Sequence, residues 1–176
     1  MKICISSDSV CDLSKEQIKE NNINIVPLTI LLGETTYLDG LELKPQEIFD
    51  YVEKNKQLPK TSAVNEFQYT ECFEKLLKEY DAVIHFNISS EMSSCHQNAV
   101  ASASKFKNVV VIDSRNLSTG VGLLVMYACK LRDEGLGLDE IVEKVKEKIP
   151  YVQASFVVER LDYLYKGGRC SALQLF

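Results

Sequence analysis

Hydrophobic positions along this chain gather in short β-branched runs that alternate with stretches of helical spacing. Residues 2–7 read as a first strand, and Asp8-Ser9-Val10-Cys11-Asp12 as a polar loop at its end. Ser14, with Gln17 three residues on, has the pattern of a capping box opening a short helix to about Asn21. Residues 23–32 are apolar enough for one long strand, and Pro27 inside it requires an edge position or a bulge. Gly33-Glu34 then turns the chain into a hairpin strand over 35–38, and Asp39-Gly40 turns it again. Pro45 suits the first turn of a helix reaching Lys54, with Ile48, Phe49 and Val52 inward.

A polar loop over 57–64 holds Thr61 and Ser62 and precedes a helix carrying Phe67, Phe73, Leu76 and Leu77. Residues 83–88 have the composition of a buried strand. The hydroxyl-rich turn Ser89-Ser90-Glu91-Met92-Ser93 follows, then a small-residue helix from Ser94 with Ala99, Ala103 and Phe106 on one face. Next come a valine-rich strand over 108–112 and a helix over 119–134 that is apolar nearly all round, the pattern of burial. Gly135 and Gly137 end that helix. A charged amphipathic helix over 139–148 stops at Pro150, and 152–158 and 160–165 read as a strand and a short helix. This alternation predicts a three-layer α/β/α domain with a mainly parallel sheet, and Pro150 is the best boundary.

Strands in this reading end in Ser7-Asp8-Ser9, Ser89-Ser90 and Asp113-Ser114. Ligands of open α/β sheets sit outside the carboxyl ends of the strands, so these loops and Thr61-Ser62 are expected to line one crevice. The turn at 89–93 is expected to offer backbone N–H and serine O–H groups to an oxyanion there, an ordinary serine N-cap being the alternative. Asp8 would share the crevice and repel a carboxylate. Glycine-rich phosphate loops, a nucleophile elbow and paired histidines for a metal are missing from the sequence. Neutral donors without a phosphate cradle suit a carboxylate or phosphate that is held, not transformed.

His85 lies in a strand and reads as a satisfied core histidine. His96, three residues after Ser93, makes a serine–histidine pair conceivable, without an orienting acid. A serine hydrolase or phosphotransferase using Ser93 is therefore the alternative from the enzyme class. Asp8, Asp12 and Asp113 could gather round magnesium, but loop hydrogen bonds account for them better. Among possible liners of the crevice or of an acyl tunnel are Ser94, Cys95, Ser114 and Val121.

Composition narrows the field further. The 176 residues carry a net charge of −5 with interspersed signs, which leaves no electrostatic footprint for nucleic acid. Six scattered cysteines and two histidines argue against a zinc site or a disulfide framework. No apolar run approaches membrane-spanning length, and Met1 leads straight into a strand, so a cytoplasmic location is expected.

Ser7-Asp8-Ser9-Val10-Cys11-Asp12-Leu13, Val26-Pro27-Leu28, Lys60-Thr61-Ser62, Ile88-Ser89-Ser90-Glu91-Met92-Ser93, Ile112-Asp113-Ser114-Arg115 and Tyr165-Lys166-Gly167-Gly168-Arg169 occur in that order. Together they resemble the DegV family of bacterial fatty-acid-binding proteins, some of which are the acyl-carrying subunit of a fatty acid kinase. The resemblance implies a non-enzymatic protein that binds a long-chain fatty acid, needs no cofactor or metal, and presents the carboxylate to a kinase partner. It implies that Thr61, Ser62 and Ser93 hold the carboxylate, with a second-domain histidine completing the site. It also implies an N-terminal domain over 1–150 and, at 151–176, the beginning of a second α/β domain. Arg169 is a candidate contact for a phosphate or the partner protein. The chain departs from the family pattern at Val64-Asn65, where Pro-Ser is usual, and at Ser94-Cys95, where Gly-Thr is usual.

Overall fold

The computed structural model describes residues 1–159 and 161–168. Its strands are β1 (Ile3–Asp8), β2 (Ile23–Val26), β3 (Thr29–Leu32), β4 (Thr35–Leu38), β5 (Lys60–Ser62), β6 (Ala82–Asn87) and β7 (Val109–Asp113). Its helices are α1 (Lys15–Glu20), α2 (Pro45–Asn55), α3 (Glu66–Leu76), α4 (Cys95–Ala103), α5 (Thr119–Asp133), α6 (Leu138–Lys148) and α7 (Asp162–Lys166). Four strands form a fully parallel sheet in the order β2-β1-β6-β7. Helices cover both faces, as the α/β/α expectation requires.

Period-two alternation sorts the sheet's residues between two cores. Ile3, Ile5, Ala82, Ile84, Phe86 and Ile112 pack with α5 and α6. Cys4, Val83 and Val109 pack on the other face with Tyr69 and Phe73 of α3 and Ala99 of α4. The capping box at Ser14 forms: Gln17 N–H donates to Ser14 Oγ at 3.2 Å, and Ser14 N–H donates to Gln17 Oε1 at 2.9 Å. Helix α5 comes so close to the 3-10 turn at Ser9–Cys11 that a Cβ at Gly122 would lie 2.6 Å from the Cys11 carbonyl oxygen.

Several expectations need correcting. Residues 23–32 are two strands in two sheets: the chain leaves β2 at Pro27 and enters a small antiparallel sheet ordered β4-β3-β5. Pro27 has no N–H for a ladder, and Leu28 N–H turns away to donate to Ser9 Oγ at 3.1 Å. Thr61 and Ser62 lie on β5, not in a loop, because β3 supplies a backbone partner.

Phe49 and Phe67 are exposed, since the inward faces of their helices run through Ile48, Tyr51 and Val52, and through Tyr69 and Phe73. Helix α5 is buried on most sides but exposes Leu123. Residues 152–158 form no strand; without a ladder partner they run as an irregular segment, with Val157 fully exposed. Arg169 lies outside the described residues.

Candidate functional site

The order of the parallel sheet reverses between β1 and β6, where the chain first builds outward to β2 and then returns to the other side of β1. The carboxyl ends of two such strands open the crevice in which α/β proteins bind ligands. A buried polar cluster fills the floor of it. Asp8 has no exposed surface and accepts from Tyr69 OH (2.6 Å), Asn87 Nδ2 (3.0 Å), the Ile88 N–H (3.2 Å) and His85 Nε2 (3.3 Å). Burial alone would raise its pKa, but the hydrogen bonds and charge of His85, with those of Tyr69 and Asn87, outweigh it and hold the carboxyl below the ordinary range.

His85 is a satisfied core histidine, as expected. Its Nε2–H faces the carboxylate, and its Nδ1 meets Ser6 Oγ at 3.0 Å, which in turn accepts from Asn24 Nδ2 (3.1 Å). The register makes this row possible, since Asn24 and His85 are both the cross-strand partners of Ser6. Asp8 is thus the hub beneath the crevice and does not line it, because its side chain points under α3. The sequence hides this hub, whose members stand 61 to 80 residues from Asp8 along the chain.

Above the hub, the backbone N–H groups of the 89–93 turn are already engaged. Ser89 N–H donates to Asn116 O, Ser90 N–H to Asp113 Oδ1, Glu91 N–H to Ser89 Oγ, and both Met92 and Ser93 N–H to Ser89 O. The expected nest of free N–H groups is therefore corrected: here they fix the turn instead. Asp113 also accepts from Ser90 Oγ at 2.5 Å and from the Arg115 N–H at 3.0 Å. Burial pushes its pKa up, but these hydrogen bonds and the nearby His96 bring it below the ordinary value.

What the turn leaves for a ligand is hydroxyl. Ser93 Oγ accepts from Cys95 N–H at 3.2 Å and gives its own proton to Cys95 Sγ at 3.2 Å. Sulfur is a weak acceptor, so that proton redirects to a stronger one at little cost. Thr61 and Ser62 are exposed on β5. Two residues beyond Ser62, the Val64 carbonyl accepts from Asn98 Nδ2 at 2.8 Å and the Cys95 thiol bonds the Val64 backbone. The first turn of α4 therefore ties the segment after β5 to the segment after Ser93.

The other candidates are placed differently. Ser94 is exposed and caps α4 without a side-chain bond. Cys95 is buried under α3 and α4, Ser114 is buried in a local turn with Asn116, and Val121 is enclosed in the α5 core. A groove of about 680 Å³ beside β2 includes Ser9, Asn24 and Leu43, and one of about 630 Å³ on α2 includes Phe49, Val52 and Tyr163. Among the described residues no His, Cys, Asp and Glu cluster could hold a metal ion, and no helix is long and apolar enough to cross a membrane.

A family model described as DegV matches residues 2–176. The chain belongs to the DegV family. A DegV domain-containing protein of Caldanaerobacter subterraneus is 39% identical over 175 residues, covering 98% of this chain and 62% of that protein. A solved fatty-acid-binding DegV family protein from Thermus thermophilus superposes with a TM-score of 0.88 at 30% identity, covering 99% of this chain and 62% of that one. A stearic acid-binding protein of Eubacterium ventriosum gives 0.81 at 31% identity, covering 96% and 62%. This DegV chain thus spans about three-fifths of the length of the relatives it matches.

Proposed function

We propose that this DegV chain binds a long-chain fatty acid in the cytoplasm, holding the carboxylate with Thr61, Ser62 and Ser93, and presents it to a kinase subunit for phosphorylation. The observation that carries this reading is the junction at Val64, where the first turn of α4 holds the two hydroxyl-bearing segments together. The fatty-acid binding of structural neighbours agrees with it. The chain's own part is to bind and orient, and Ser93, whose hydroxyl is bonded to Cys95, acts as a donor and not as a nucleophile. Arg169 is assigned the phosphate or the kinase surface. Residues 151–176 are read as the opening of a second domain, after a first over 1–150.

Affinity and orientation come from different parts of the ligand. Each buried methylene contributes about 0.8 kcal/mol, so a long tail supplies on the order of 10 kcal/mol before ordering costs. A buried carboxylate must recover its lost hydration through charge-assisted bonds worth about 1.5–3 kcal/mol each. Isothermal titration with oleate and oleyl alcohol separates the two. Ser93→Ala should weaken oleate binding roughly ten- to a hundredfold and leave the alcohol nearly unchanged. Equal losses for both ligands, or for neither, would remove the carboxylate from this place.

A further inference from the structure

The polar relay that begins at Asp8 continues out of the core. Asn87 Nδ2 donates to Asp8 Oδ2 and to Tyr69 OH, both at 3.0 Å, which fixes the orientation of the amide and turns Oδ1 the other way. The group that meets Asn87 Oδ1 is His96 Nδ1, at 3.3 Å. An amide oxygen only accepts, so His96 holds a proton on Nδ1, and Nε2 is the ring nitrogen left for a ligand. The ring is half-buried in the first turn of α4, three residues beyond Ser93, and electrostatically coupled to Asp113. One buried anion, through one amide, thus sets the tautomer of an imidazole at the rim of the candidate site.

We propose that His96 is a further head-group residue, whose Nε2 contacts the carboxyl group of the bound fatty acid. This rests on the fatty-acid reading above and adds a residue to it. The chemistry of the contact follows from the tautomer. As the carboxylate binds, Nε2 takes a proton from water and its N–H donates to one carboxyl oxygen, while Nδ1–H remains on Asn87. The positive charge that grows on the ring is favoured by Asp113 on β7 and, beyond Asn87, by Asp8 on β1. A fatty alcohol gains only a neutral hydrogen bond there, about half as strong as its charge-assisted counterpart. His96 therefore discriminates acid from alcohol, and the buried relay positions it to do so.

The test is ¹⁵N-histidine NMR on the 176-residue chain at neutral pH, titrated with oleate and with oleyl alcohol. Ligand-free His96 should show the Nδ1–H tautomer. Oleate should move its Nε2 resonance and leave both His85 nitrogens in place, and oleyl alcohol should move Nε2 far less. His96→Ala should reduce the preference for oleate over the alcohol roughly tenfold. Should that variant not fold, the spectra of the unaltered chain decide alone. An Nε2–H tautomer in the free protein, or a stationary Nε2 while oleate binds in a Ser93-dependent manner, overturns this inference and leaves the fatty-acid reading standing. Oleate that fails to bind up to about 1 mM, or binds without regard to Ser93, removes both.

Discussion

A carboxylate without exposed surface stays charged only when donors replace the water it lost, and Asp8 has Tyr69, His85, Asn87 and the Ile88 N–H for that purpose. Removing the charge by Asp8→Asn leaves those donors facing an amide, and should cost about 3–5 kcal/mol of stability. Tyr69→Phe removes one donor and should cost about 1–3 kcal/mol. The same hub makes stability depend on pH. The folded pKa of Asp8 lies below its unfolded value near 3.9, so the unfolded chain binds the proton first on acidification. The contribution is therefore complete above about pH 5 and is lost as pH falls through the folded pKa. Urea midpoints measured from pH 7 to pH 3 should fall more steeply for the unaltered chain than for Asp8→Asn. Parallel curves would mean that Asp8 does not carry this charge in the core.

Local chemistry was legible in the elements and non-local pairing was not. Ser14 with Gln17 forms its box, and Pro45 opens α2, because each signal lies within one turn of the helix it starts. The strand at Thr61 and Ser62 depends on β3, and the break at Pro27 depends on a second sheet that receives the chain, so neither can be read from a window of residues. The hydroxyl-rich composition of the 89–93 turn was legible as residue types. The relay from Asp8 to His96 was not, because strand register assembles it. Helix α5 shows the same contrast in its glycines. A Cβ at Gly120 would lie 2.5 Å from Asn116 Oδ1, a side chain that can yield only by loosening its bonds to Ser114 O and Val152 O, whereas at Gly122 it would meet the Cys11 backbone carbonyl, which is fixed. Gly122→Ala should therefore destabilise by about 1–3 kcal/mol and exceed Gly120→Ala in urea titrations. The reverse order would show that the 3-10 turn at Ser9–Cys11 yields more readily than the Asn116 side chain.

At the scale of the molecule, the two apolar cores are complete before the last described segment begins. Helices α5 and α6 close one face of the parallel sheet and α3 and α4 the other, and Val152 is packed against the first core, where its carbonyl accepts from Asn116 Nδ2 at 3.1 Å. Beyond Val152 the character changes. Residues 153–159 are exposed throughout, and Phe156, Val157, Tyr163 and Tyr165 leave apolar surface in water. Such a segment adds little to the fold, since burial and not apolar composition stabilises. A chain ending at Val152 should fold with a melting temperature within about 4 °C of the 176-residue protein, the shift produced by roughly 1 kcal/mol at this size. It should also self-associate less in sedimentation velocity runs at rising concentration, because an exposed apolar patch has been removed. Loss of cooperative unfolding in the shorter chain would show that the segment after Val152 unfolds with the parallel sheet, and would count against the proposed boundary at Pro150.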